Sequence, residues 1–235
     1  VNAMLHLGTP RLIHVSSVAA LGRKSGVPAD ESTLFEEQPG TSAYARSKHR
    51  AEMEAFRGAA EGLSDGLVVV NPTVILGQGD FRSSSSALFR VLDRGLSWYP
   101  EGSGGYVGAE DVAEVCVRLG ASEVRGERFV LCAEHRTHLD VMTAIASALD
   151  RTGPTRAVKP WVAGLVWRFV WLTERITGHK SMITRESLAS GSEHQRFDGS
   201  KIKRTLAEMG QDWDYTPINK VIASTVQAYR RQCGS

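Results

Sequence analysis

The clearest hydrophobic signal in the chain is the run Leu67-Val68-Val69-Val70-Asn71, unbroken by charge and closed by Pro72. Such a run reads as a strand buried on both faces. A second strand is expected over 11–16, Arg-Leu-Ile-His-Val-Ser, from its apolar and β-branched content. Between them Ser42 is placed to cap a helix running from about Ala43 to Ala60, which the glycines at 62 and 66 end. Strand, helix and buried strand in that order make a βαβ unit and therefore a parallel sheet.

Further along, the pattern predicts a short helix over 87–94, a Gly-rich loop over 98–105 and a short strand at Tyr106-Val107. A helix over 110–119 and a strand over 127–132 follow. From Thr137 the periodicity turns mainly helical, with helices expected over 139–149, 161–177, 200–209 and 217–230. Two domains are expected on this basis: 1–133, an α/β fold on a parallel sheet, and 134–235, a smaller and mostly helical lobe. Residues 1–7 read as the last turns of a helix ending at Gly8, so the chain starts inside an element, as a truncated chain would.

Composition narrows the function classes. The 235 residues are 42% hydrophobic with a net charge of +2, enough to bury a sizeable core and too balanced to attract nucleic acid. Cys116, Cys132 and Cys233 are widely spaced and odd in number, which predicts neither a disulfide framework nor a metal site and fits a reducing, cytoplasmic setting. The apolar stretch Trp161–Leu172 contains Arg168 and is too short to span a bilayer, so no stable membrane insertion is expected.

The candidate chemistry lies in two segments, Val15-Ser16-Ser17 at a strand end and Tyr44-Ala45-Arg46-Ser47-Lys48 opening a helix. A tyrosine and a lysine four apart share one helical face, so the ammonium charge favours the phenolate and equips the tyrosine for acid/base work. His14 on the apolar strand reads as a core histidine rather than a ligand. Glu110 and Asp111 read as first-turn carboxylates favoured by the helix dipole.

In sequence order these segments resemble the extended short-chain dehydrogenase/reductase family, in particular its NAD-dependent epimerase/dehydratase and dihydroflavonol-reductase-like members. The serine strand places Ser17 five residues before Gly22, and Tyr44 and Lys48 fall on the family's Y-x-x-x-K. Asn71-Pro72-Thr73-Val74-Ile75-Leu76-Gly77-Gln78-Gly79-Asp80 is similar to the family's R-P-x-x-V-x-G-P-G-D, with Asn71 in place of the arginine and Gln78 in place of the second proline. Asp111-Val112-Ala113 and Ser200-Lys201 match its D-V-A and S-K segments. The family's glycine-rich phosphate loop is not among these residues.

The resemblance implies a Rossmann-like fold, NAD or NADP as cofactor and a small-molecule substrate, with a homodimer as a carried-over expectation. It implies Ser17, Tyr44 and Lys48 as the catalytic set, Ser16, Tyr44, Lys48, Pro72, Thr73 and Val74 at the cofactor, and Ser17, Phe81 and Arg82 at the substrate. The aromatic residues Trp98 and Tyr99 either line that pocket or pack a small lobe, and the sequence leaves both open. The expected activity is hydride transfer at a secondary alcohol or ketone, closer to a reductase than to a dehydratase. The alternative is a truncated remnant or binding module that cannot hold the cofactor.

Overall fold

The computed structural model describes residues 1–8, 11–22, 26–63, 66–82, 85–158 and 191–233. The helix expected over 161–177 lies outside them. Among the described residues no helix is long and apolar enough to cross a membrane. The chain divides into two compact units, each discontinuous in sequence: 1–76 with 105–134 and 196–218, and 77–104 with 135–195 and 219–235.

The first unit is built on parallel strands β1 (Leu12–Val15), β2 (Leu67–Pro72) and β6 (Glu127–Leu131), in the order β1-β2-β6. Every residue of β2 is buried, as its apolar run requires of a central strand. Side chains alternate across it. Leu67 and Val69 pack with Ala55 of α2 (Ala43–Gly58) on one face. Val68 and Val70 pack on the other face with Val112, Val115 and Leu119 of α4 (Ala109–Gly120) and with Ile202 and Leu206 of α6 (Ser200–Glu208). The result is a three-layer α/β arrangement with the core on both sides of the sheet. Asp111, in the first turn of α4, is 4% exposed and accepts hydrogen bonds from the Thr216 amide and hydroxyl.

Pro72 is tolerated at the end of β2 for a geometric reason. Val70 accepts from the Ser16 amide, so residue 72, two along, also faces the β1 side, where β1 has already ended. Thr73 faces β6 instead, its amide and hydroxyl both donating to the Leu131 carbonyl at 3.0 Å. The chain then continues as β3 (Val74–Leu76), which the sequence did not reveal because the proline masked it, and β3 pairs in parallel with β5 (Ser103–Gly108).

Residues 98–105 depart most from expectation. Instead of one loop they form β4 (Trp98–Tyr99), paired with β8 (Arg156–Ala157), and the first half of β5. Glycine serves here for room rather than for freedom: a Cβ on Gly105 would lie 2.6 Å from Thr73 Cγ2 and 2.7 Å from Cys132 Sγ. In the second unit α3 (Ala87–Asp93), α5 (His138–Ala148) and α7 (Ile218–Cys233) supply the helices the periodicity predicted, and β7 (Glu134–Thr137) precedes α5. Phe81 packs edge-on against Phe89 and Tyr229 at 6.1 and 5.1 Å, and the Tyr229 hydroxyl donates to Asp93 at 3.0 Å.

α1 (Asn2–Leu7) ends at Gly8, whose φ of 63° gives the left-handed cap expected there. α2 begins at Ser42, whose hydroxyl accepts the Ala45 amide. His14, in register with Val69, faces α2 with its Nε2 buried and, among the described residues, unpartnered. Burial holds its pKa below the ordinary histidine value, while Glu52 opposes and Lys48 reinforces that shift.

Gly105→Ala is expected to destabilise the protein by about 1–3 kcal/mol through overpacking. Gly120→Ala, at a helical position with no neighbour within 4 Å of the added methyl, is expected to stabilise it by about 0.4–1 kcal/mol. Urea midpoints of the two variants should move in opposite directions. Because the folded-state pKa of His14 is depressed, its neutral form contributes stability above the unfolded value near 6.5 that is lost as pH falls toward the folded value. His14→Gln should therefore gain on the wild type in urea midpoint as pH drops below about 6.5, and a constant difference across pH 5 to 8 would refute the linkage.

Candidate active site

The site is assembled where β1 and β2 end, the edge at which parallel α/β sheets present their chemistry. β1 closes at Val15, and the Ser16 amide still donates to Val70 across the sheet at 2.8 Å. Ser17 then caps a 3-10 turn, Val18–Ala20, in extended conformation. Its Oγ accepts the Ala19 amide at 3.2 Å, so the hydroxyl hydrogen stays uncommitted among the described residues. Ser16, one residue earlier, is buried, and its hydroxyl donates inward to Glu52 Oε2 at 2.7 Å. Two adjacent hydroxyls thus point to different tasks, because successive side chains of an extended chain alternate in direction.

α2 lies over this end of the sheet and packs on the 3-10 turn. Tyr44, Lys48 and Glu52 are spaced by four and so form one stripe along it. Tyr44 is 56% exposed and its hydroxyl makes no hydrogen bond among the described residues. The Lys48 ammonium stands 5.9 Å from the Tyr44 ring centroid and forms no ion pair among the described residues. A free phenol and a free ammonium on one stripe form a pair able to exchange a proton and to hold hydroxyl groups.

The third member of the stripe is buried. Glu52 is 0% exposed and accepts from Ser16 of the β1 end, from Asn71 of β2 at 2.9 Å and from the Arg128 guanidinium of β6. Asn71 Nδ2 also donates to the Ser17 carbonyl at 2.9 Å. Arg128 stacks its guanidinium 5.3 Å from the Phe56 ring, one turn beyond Glu52.

Pro72 and Thr73 are buried at the end of β2 and Val74 is 39% exposed, all in the first unit with the serines, Tyr44 and Lys48. Phe81 and Arg82 belong to the second unit. Phe81 is buried there in the aromatic cluster, and Arg82 is exposed and paired with Asp80 at 3.1 Å. Sequence reasoning missed Glu52 and Arg128. A usable signal existed: Glu52 continues the spacing of Tyr44 and Lys48, and Asn71 ends a run whose burial demands a partner for its amide.

Comparisons with known proteins agree with this architecture. The sequence matches the NAD dependent epimerase/dehydratase family over residues 1–132, more than half of the chain. It is 26% identical over 209 residues to the Synechocystis sp. protein named "Putative dihydroflavonol 4-reductase", covering 85% of this chain and 60% of that protein. It is 28% identical over 156 residues to sterol demethylase protein B of Methylococcus capsulatus, covering 65% of this chain and 47% of that protein. The chain therefore spans about half to three fifths of the length of these curated relatives. Among solved structures, a nucleoside-diphosphate-sugar epimerase from Pseudomonas aeruginosa superposes with a TM-score of 0.78 at 21% identity, over 98% of this chain and 70% of that one, and so shares the fold. The chain belongs to the NAD dependent epimerase/dehydratase family.

Proposed function

We propose that this chain carries the acid/base half of an NAD- or NADP-dependent oxidoreductase acting at a secondary alcohol or ketone. The observation that carries the reading is the phenol of Tyr44 beside the ammonium of Lys48, both without a hydrogen-bond or ion-pair partner among the described residues, on the helix stripe that also bonds the serine-bearing end of β1. A nicotinamide nucleotide fits this donor set, since a ribose offers hydroxyls to a free ammonium and a free phenol. Pro72, Thr73 and Val74 supply a largely apolar wall at the adjoining strand end. When bound, the nicotinamide supplies or accepts the hydride.

The chain's own residues handle the proton. In the reducing direction Tyr44 gives its phenolic hydrogen to the substrate oxygen as that oxygen gains charge, and in the oxidising direction it takes the hydrogen back. Lys48 stabilises the phenolate that remains and holds a ribose hydroxyl. Ser17, whose Oγ lone pair is occupied by the Ala19 amide, has its hydrogen free to donate to the same substrate oxygen. Ser16 serves the interior through Glu52. Phe81 and Arg82 are proposed at the substrate by resemblance, Arg82 being the exposed member. The substrate class and the dimer are carried over from the family in the same way.

A second reading, that this stretch of chain by itself cannot retain the dinucleotide, is favoured by β1, which among the described residues pairs along one edge only. Titration with NADH and NADPH separates the two, because saturable binding excludes the second. For the leading reading, the protein mixed with NADH or NADPH and a panel of ketones should consume absorbance at the dihydronicotinamide band. Tyr44→Phe should lower kcat by about 10²–10⁴-fold while nucleotide affinity is retained. Absence of turnover with both nucleotides, or full activity in Tyr44→Phe, would overturn it.

A further inference from the structure

We propose that Asn71, locked by the buried Glu52 carboxylate, is the positioning residue that aims the Ser17 hydroxyl; this rests on the role given to Ser17 above. Both amide hydrogens of Asn71 are spent, one on Glu52 Oε2 and one on the Ser17 carbonyl, each at 2.9 Å. Its Oδ1 is buried without a partner among the described residues. The reversed amide would set that oxygen against a carboxylate oxygen and a carbonyl oxygen, two acceptors, so the observed orientation is the one the surroundings permit. Leaving an oxygen orphaned in the interior is unfavourable, and what the arrangement gains is a fixed donor on Ser17.

The Ser17 carbonyl receives a second hydrogen bond from the Ala20 amide at 3.0 Å. With both of its acceptor sites committed, the peptide plane after Ser17 is fixed, and with it the direction in which Cβ leaves the backbone, while the Ala19 amide holds Oγ. Glu52 cannot turn away from Asn71, because Ser16 and Arg128 hold the same carboxylate from the strands on either side. Glu52 also stands two turns from Tyr44 on one helix. One carboxylate thereby relates the strand end that offers the serine to the helix that offers the phenol. Asn71 touches none of the reacting atoms, and its effect passes through Ser17.

Asn71→Ala tests this with two readouts. Amide hydrogen exchange over 18–21 is expected to quicken about tenfold, while exchange over β6, 127–131, stays unchanged. In turnover with NADH or NADPH and a ketone, kcat should fall about tenfold or more with KM for the nucleotide unaltered. Should Asn71→Ala loosen the whole unit through the cavity it leaves, Asn71→Leu keeps most of the volume, leaves the Glu52–Arg128 pair in place and removes both amide donors. That substitution should give the same local exchange signature. Unchanged exchange over 18–21, or faster exchange with kcat intact, overturns the positioning role. Failure of the hydride reading is separately visible, either as absent turnover with both nucleotides or as turnover left intact by Tyr44→Phe and Ser17→Ala, whatever Asn71→Ala does to exchange.

Discussion

A carboxylate removed from water between a helix and a sheet constrains everything around it. Glu52 is fully buried, and an isolated charge in such a place is untenable, so donors must reach it from the surrounding elements. They come from all three strands of the sheet: Ser16 after β1, Asn71 in β2 and Arg128 in β6. Removing one partner of such a buried pair typically costs about 3–5 kcal/mol. The register of the strand ends and the height of α2 above them are therefore set by one group, as well as by the apolar contacts of Ala55 with Leu67 and Val69.

The same ends of the strands carry the groups assigned to chemistry. β1 stops early enough for Ser17 to start a 3-10 turn and for Pro72 to sit where no amide is needed. Beyond Pro72 the chain leaves β6 and enters a second ladder with β5, a transfer that depends on Gly105 presenting no side chain to Thr73 and Cys132. The strand ends are held by backbone pairing and close packing rather than by loops. Groups proposed to meet a substrate oxygen gain from such rigidity, since small misplacements weaken catalysis steeply.

Much of this was legible from residues alone. β2, α2 with its serine cap and the helices expected over 139–149, 200–209 and 217–230 were readable because long periodic segments and capping chemistry are local properties. The NAD dependent epimerase/dehydratase family was readable from the order of its motifs. What escaped depends on contacts distant in sequence. The glycines of β5 look like a flexible loop until the crowding by Thr73 and Cys132 is seen. β3 was hidden behind a proline whose missing amide matters only if β1 extends beside it. The partition into two units returns 196–218 to the first, a long-range association of α6 with the sheet that no local pattern announces.

The departures of this chain from the family pattern also acquire a physical sense. The matching family segment carries arginine where Asn71 stands, yet a buried carboxylate on α2 still needs a cation. Arg128 supplies it from β6, in register with Val69 and so on the face that α2 covers. With the charge provided from the neighbouring strand, position 71 is free to hold a short amide, and an amide can do what a guanidinium there could not do without adding a second charge. It donates one hydrogen to Glu52 and the other to the Ser17 carbonyl. With the cation on β6, the carboxylate stays paired and the serine-bearing turn has a neutral anchor.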